Sequence, residues 1–316
     1  MNLEDIGFYT LSNARVKNLS KNSRLWRCEL ILTGKCNFKC PYCRTFDDEM
    51  PLSFATQVVD EFNRANLKNI RFSGGEPTLY KGLNDLVKLS TAERKAISTN
   101  GSADFEVYEQ LIEDGINDFS ISLDACCSST ADVMSGVNGM YEKVCSNIVK
   151  ISKRTYCTVG VVLTPENIGE IDGIIATATR FGVSDIRIIP SAQWSKTLPK
   201  VDINTSYPIL KYRLNNLKHN IPVRGLSEAD NKRCPLVLDD MAIKGNFHYP
   251  CIIYLREGGE PIGVFDNVKW ARQDRLKWYR RHNCFKDPIC KNNCLDVCRQ
   301  HNNYFNNYHL TRCCTK

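Results

Sequence analysis

The sequence predicts an α/β fold, a partial (β/α)6 TIM-like barrel followed by a small cysteine-rich C-terminal extension. Strand-like and helix-like segments alternate over residues 26–190, the pattern of parallel strands joined by right-handed crossovers. The strand-like segments number six, short of the eight that close a full barrel. Cysteines crowd residues 36–43 and the stretch from 234 onward, and thin out between. A flat doubly wound sheet is the alternative reading of the same alternation.

Each element has its own signal. Trp26 to Thr33 is a short β-rich run. Residues 53–66 set Ala55, Val58, Val59, Phe62 and Ala65 at helical spacing behind Ser53, a plausible N-cap. Lys68 to Ser73 is a strand ending in Gly-Gly, 81–90 a helix and 95–99 a strand. Residues 104–114 place Phe105, Tyr108, Leu111 and Ile112 on one helical face, with Gly115 as the stop. In Asp118 to Asp124, Phe119, Ile121 and Leu123 alternate with Ser120, Ser122 and Asp124. Helix 139–153, strand 156–163, helix 167–181 and strand 184–190 complete the series. Residues 191–205 are loop-like, and 206–217 form a helix. Three units result: an N-terminal segment, 1–25; the barrel core with its connecting helix, 26–230; and the cysteine-rich part, 231–316, with few periodic stretches.

Composition excludes several classes. With 316 residues, 42% hydrophobic and 24% charged, the chain can bury a core and is not a disordered one. No apolar run reaches the roughly 18 residues of a membrane helix. The start, MNLEDIGFYTLSNARV, lacks the apolar stretch of a secretory signal, so a cytoplasmic location is expected. There the 16 cysteines stay reduced and read as metal-binding or catalytic. A net charge of +7 permits an acidic partner without demanding one.

The first cysteine group is Cys36-Asn-Phe-Lys-Cys40-Pro-Tyr-Cys43, directly after the first strand. Strand C-termini are where parallel barrels bind ligands. Three thiolates on one Pro-kinked loop can face one metal site and leave a coordination position for something exogenous, whereas structural zinc and ordinary clusters take four protein ligands.

This C-x3-C-x2-C loop, with Tyr42 before its last cysteine, resembles the signature of the radical S-adenosylmethionine (SAM) enzymes. The resemblance implies that Cys36, Cys40 and Cys43 hold a [4Fe–4S] cluster whose fourth iron is chelated by the amino and carboxylate groups of SAM. It implies a one-electron reductant such as flavodoxin or ferredoxin, reductive cleavage of SAM, and a 5′-deoxyadenosyl radical that abstracts hydrogen from substrate. Further motifs follow in the family's order. Gly74-Gly75-Glu76-Pro77 resembles the segment that binds the methionyl amino group. Two glycines let backbone approach a ligand, and Glu76 can accept from an ammonium. Ser98 and Asn100 resemble the segment beside the cofactor, Ser122 and Asp124 the polar positions near the ribose, and Tyr42 the residue near the adenine.

The second group comprises Cys234, Cys251, Cys284, Cys290, Cys294 and Cys298, with a terminal Cys313-Cys314 pair. It resembles the auxiliary-cluster extensions called SPASM and Twitch. The C-x5-C-x3-C core is kept and the glycine spacing, through Gly245, nearly so; Arg281 stands where a further cysteine would be. The resemblance implies one auxiliary [4Fe–4S] cluster, or two if more cysteines join. Cys251, Cys284, Cys290 and Cys294 are the first set expected, Cys234 and Cys298 the next. Such a cluster takes an electron from a substrate radical, binds substrate, or conducts electrons.

Other residues read more plainly. Cys126-Cys127, after the fourth strand, are expected as ordinary loop thiols, and Cys28, Cys145 and Cys157 as small buried hydrophobes. His282 and His301 flank the second group but show no metal-like spacing and are not expected as ligands. The run from Lys269 to Arg281 is expected to pack two tryptophans inward and solvate its cations; a nucleic-acid surface is the other reading. The sequence thus points to a radical SAM enzyme that modifies a peptide or protein side chain. A small-molecule dehydrogenase or mutase is the alternative, and a zinc-stabilised nucleic-acid-binding protein the remote one. Residues 1–25 fall short of the roughly 80 of a leader-peptide recognition domain, which weighs against a self-sufficient peptide maturase.

Overall fold

The computed structural model describes residues 2–44 and 48–313, with side chains through His309. The six strand signals form β1 (Arg27–Thr33), β2 (Asn69–Gly74), β3 (Arg94–Thr99), β4 (Asp118–Ser122), β5 (Tyr156–Leu163) and β6 (Asp185–Pro190). They are parallel neighbours in the order β6-β5-β4-β3-β2-β1. Helix α1 (Asn13–Asn18) precedes β1. The crossovers carry α2 (Leu52–Arg64), α3 (Leu83–Leu89), α4 (Phe105–Glu113), α5 (Ser128–Ser135), α6 (Tyr141–Ser152) and α7 (Ile171–Arg180), and α8 (Pro208–Lys218) follows β6. The sequence reading passes over α5, whose run SSTADVMS buries only Met134 and so shows little apolar periodicity.

Strand alternation sorts the two faces. Leu30 and Leu32, Ile70 and Phe72, Phe119 and Ile121, Val159 and Val161, and Ile186 and Ile188 face the helices and form one core with Val58, Phe62, Leu86, Tyr108, Ile148 and Ile174. Cys28, Cys145 and Cys157 are buried in this core, as expected. The opposite face is polar: Glu29, Arg71 and Asp118 are buried there. Arg71 pairs with Asp118 at 3.2 Å and Arg27 with Glu29 at 2.9 Å. The N-terminal segment covers the N-terminal strand ends. Tyr9 accepts from Asn69 Nδ2 at 2.8 Å, and the Arg94 and Arg187 guanidiniums lie over the rings of Tyr9 and Phe8.

Beyond residue 231, where few elements are expected, the described chain forms β7 (Asp240–Lys244), β8 (Phe247–Tyr249), α9 (Ile252–Arg256), β9 (Gly263–Val264), α10 (Val268–Arg281), α11 (Pro288–Asn293) and α12 (Asp296–Cys313). β7 runs parallel to β1, from Arg27↔Asp240 to Ile31↔Lys244, and the sheet continues into antiparallel β8 and β9. The cysteine-rich part therefore extends the barrel sheet. Its α10 departs from expectation: Trp270 is 53% exposed, whereas Arg275 is buried. No described helix is long and apolar enough to cross a membrane.

Candidate active site and metal centres

The end of β1 delivers the first cysteines to the C-terminal edge of the parallel strands. Cys36 and Cys43 are exposed and Cys40 is partly buried. Three neighbours fix their loop. From the end of β2, Gly75 N donates to Thr33 O at 2.7 Å and Glu76 N to Lys35 O at 2.8 Å. This approach explains the glycine pair. A Cβ on Gly74 would lie 2.3 Å from Thr33 O, and one on Gly75 would lie 2.3 Å from Lys35 O. From α5, Ser135 O accepts from Lys39 N at 2.7 Å, and a Cβ on Gly136 would meet Lys39 O at 2.6 Å. Beyond β6, Gln193 Nε2 donates to Tyr42 O at 2.7 Å.

The other sequence-predicted residues surround this loop. Glu76 is buried, and four protein donors occupy its carboxylate. Thr78 N, Thr78 Oγ1 and Thr99 Oγ1 reach Oε1 at 3.1, 2.7 and 2.7 Å, and Asn100 N reaches Oε2 at 2.7 Å. Burial raises its pKa; those hydrogen bonds pull it down. Pro77 opens the 3₁₀ turn Pro77–Leu79 that Glu76 caps. Asn100 Nδ2 donates to Asn37 Oδ1 at 2.9 Å and lies 3.9 Å from Cys36 Sγ. The Tyr42 hydroxyl donates to Asp124 Oδ2, and Val162 N reaches Asp124 Oδ1 at 2.6 Å. Burial nonetheless pushes the Asp124 carboxyl up to about 6. Ser122 is exposed at the end of β4. Ser98, on the same polar face of the sheet, accepts from Arg71 Nη1 at 3.0 Å.

Cys126 and Cys127 are more tightly held than loop thiols. Glu170 Oε2 accepts from Cys126 N and Sγ at 3.4 and 3.3 Å, and Thr130 Oγ1 donates to Glu170 Oε1.

The second group gathers around the β7–β8 hairpin. Gly245 makes its two-residue turn at φ 56. The hairpin brings Cys234, ahead of β7, back beside Cys251, at the start of α9. That return explains a glycine between these two cysteines. Arg275 clamps the hairpin: Nε donates to Val237 O at 2.7 Å, Nη1 to Tyr249 O at 2.9 Å, and Nη2 to Pro250 O at 3.1 Å and to Asp240 O. Asparagines of α12 hold the other side. Asn302 Nδ2 donates to Cys234 Sγ at 3.5 Å, and Asn303 Nδ2 to Asp230 Oδ1 at 2.7 Å. An asparagine-rich helix flanking cysteines is the sequence signal for these supports.

All six cysteines of the group lie near one another. A hydrogen bond to Cys284, then burial, pushes Cys234 well up. The hydrogen bond to Cys234 pulls Cys284 down, but the bond to Cys290 and burial leave it raised. Burial, then the charges of Cys234 and Cys298, raises Cys251; burial, then Cys298 and Cys234, raises Cys294; burial, then Cys234, pushes Cys298 up to about 12. Thiols that disfavour one another's ionisation are crowded enough for a shared cationic group to relieve. His282, which its spacing does not mark as a ligand, has Nε2 at 3.7 Å from Cys290 Sγ. Cys314 and the Cys313 side chain lie outside the described residues.

Fold and site together define a class, the open parallel barrels that present three thiols at the mouth beside the first strand. Residues 30–178 match the family model of the radical SAM superfamily. Among curated relatives, mycofactocin maturase MftC of Mycolicibacterium smegmatis is 29% identical over 163 residues, covering 48% of this chain and 41% of that protein. GTP 3',8-cyclase of Clostridium perfringens is 29% identical over 178 residues, 51% of this chain and 53% of that protein. The chain thus spans about half the length of the curated relatives it matches. Among solved structures, SuiB of Streptococcus suis has a TM-score of 0.58 at 15% identity, over 85% of this chain and 67% of that one. The anSMEcpe structure with bound AdoMet has a TM-score of 0.57 at 16% identity, over 92% of this chain and 94% of that one. At these identities the likeness concerns the fold.

Proposed function

We propose that this protein is a radical SAM enzyme that oxidises or otherwise modifies a side chain of a peptide or protein, with an auxiliary iron–sulfur group held by its C-terminal cysteines. The observation that carries the reading is the Cys36, Cys40 and Cys43 loop, clasped at the barrel mouth by the Gly74-Gly75 backbone. Soft thiolate donors of this number suit an iron–sulfur cluster with one iron left for SAM. When bound, that cluster supplies the electron that splits SAM into methionine and the 5′-deoxyadenosyl radical, which takes a hydrogen atom from the substrate.

The protein's residues position these partners. Gly74 and Gly75 admit the loop backbone, and Glu76 fixes both Pro77–Leu79 and Asn100 around the methionyl end of SAM. Tyr42, Ser122 and Asp124 form the polar wall for the nucleoside part. Ser98 orients Arg71 within the barrel. A donor of flavodoxin or ferredoxin type would supply the electron.

Two solved structures support a peptide substrate. The fold likeness that reaches 88% and 92% of this chain includes SuiB bound to precursor peptide SuiA and anSMEcpe with AdoMet and the Cp18Cys peptide. The test is 5′-deoxyadenosine formation by reduced, anaerobically purified protein. Product is expected with the intact loop and none with Cys36→Ala/Cys40→Ala/Cys43→Ala. Peptide pools should stimulate product formation above the uncoupled level; stimulation by small metabolites alone overturns the substrate reading. Zinc without iron or sulfide overturns the enzyme reading.

A further inference from the structure

Arg281 occupies the place of a cysteine in the second group, and the next residue lies among its thiols. His282 is the C-cap of α10, its N–H donating to Trp278 O at 2.8 Å. Its ring stacks on Trp278, with centroids 3.9 Å apart and planes at 15°, and meets the Tyr254 ring edge-on at 6.1 Å. Its carbonyl accepts from Arg233 Nη1 at 2.6 Å. Backbone and ring are therefore both held. The ring nitrogen Nε2 faces Cys290 Sγ at 3.7 Å, and the ligand atoms of His282, Cys284 and Cys290 all lie within 4.8 Å of one another.

We propose that His282 is an imidazole ligand, through Nε2, of the metal group that Cys284 and Cys290 hold, taking the place left by Arg281. The proposal rests on the reading that the C-terminal cysteines bind metal. Three features favour ligation over incidental packing. The donor separation is of the size set by bonds of about 2.0–2.3 Å to one metal centre. The three donors come from the end of α10, the segment after it, and α11, whose N-cap Asp287 fixes Cys290 by accepting from its N–H at 2.8 Å. The ring is also held in one orientation, by its stacking on Trp278 and its edge contact with Tyr254. Asp287 Oδ2 lies 3.7 Å from Nε2 and accepts from the Tyr254 hydroxyl at 3.0 Å. It competes for Nε2 in the metal-free protein and is left to Tyr254 when Nε2 turns to the metal.

A neutral imidazole in place of a thiolate makes the group less negative. On iron–sulfur centres that substitution raises the reduction potential. His282→Cys should therefore lower the potential of the auxiliary group while preserving its metal content.

The test uses full-length protein carrying Cys36→Ala/Cys40→Ala/Cys43→Ala, so that only the C-terminal group contributes. Metal and sulfide are counted, and pulsed EPR is recorded on the reduced protein with natural and ¹⁵N-labelled histidine. Strong nitrogen coupling that changes with the label and disappears in His282→Cys supports the proposal. If the metal is zinc, absorption-edge spectroscopy showing one nitrogen among sulfurs, lost in His282→Cys, supports it equally. A full metal complement with sulfur ligation only, or the weak coupling of a hydrogen-bonded imidazole, overturns the proposal and leaves the auxiliary-group reading standing. No metal in the C-terminal part overturns both. Neither spectroscopic outcome depends on turnover.

Discussion

The Tyr42 hydroxyl, from the cysteine loop, donates to the Asp124 carboxylate beyond β4. Asp124 also accepts from Val162 N through its side chain and from Asn167 Nδ2 through its carbonyl. One acidic residue thus joins the cysteine loop to two other barrel segments. Tyr42→Phe leaves a buried carboxylate one donor short, at a cost of about 1.5–3 kcal/mol. The Asp124 pKa, already about 6 through burial, rises further. A raised carboxyl destabilises the fold where it is ionised, so the deficit is full above that pKa and fades as pH falls toward the unfolded value, about 4. Urea unfolding at pH 5 and pH 8 checks this, with the larger deficit expected at pH 8.

Gly75→Ala should empty the mouth site. The added methyl meets Lys35 O at 2.3 Å and Gly34 O at 2.7 Å, both backbone atoms. The clash can be relieved only by moving the loop, at a cost of about 3 kcal/mol or more. Iron counting should show a loss of about four irons per chain, with circular dichroism unchanged. Retention of that iron would refute the clasp.

Arg275→Met should unseat the hairpin. Four carbonyls, three of them buried, lose this donor at once, and each buried unsatisfied group costs about 1–3 kcal/mol. Arg275→Lys keeps charge without the fork and should recover less than half of the loss. Denaturant midpoints measure the cost. Metal should leave the C-terminal part while the mouth cluster stays.

Stability should fall in acid through two histidines. Burial, then Arg275, pulls His248 down to about 3, and burial, then Arg15, does the same to His301. Each stays neutral when folded and takes up a proton when unfolded below about 6.5. Between those values the unfolded state holds more protons, so stability drops as pH falls from 6.5 toward 3. The slope approaches about 1.4 kcal/mol per pH unit for each histidine. Unfolding free energies across this range should flatten by one such slope in His248→Gln.

The strand–helix alternation was legible because its signals are local. So was the cysteine loop, since chemistry-bearing residues fall within a few positions. α5 was not legible: its run buries only Met134, and its Thr130 is tied to Cys127 and to Glu170, 40 residues away. Arg275 was misjudged for a related reason. On its own helix it reads as one of several solvated cations, and its carbonyl partners are 25 to 38 residues away. His282 was set aside because its nearness to Cys290 comes from the turn between α10 and α11, which spacing alone does not encode. The glycines of the Gly74-Gly75 pair were legible as places of close approach, but the partner the structure shows is the cysteine loop itself.

The pairing of β1 with β7 bears on how the chain acquires its shape. Arg27 and Asp240 are register partners and ion-paired at 3.1 Å, yet 213 residues separate them. Contacts so distant along the chain carry a large loop-closure cost and form late in folding. During synthesis the first strand, and the cysteine loop it leads into, would wait on one side for most of the polypeptide to emerge. The mouth, whose loop is held by β2, α5 and the segment after β6, would take shape before that last edge is covered.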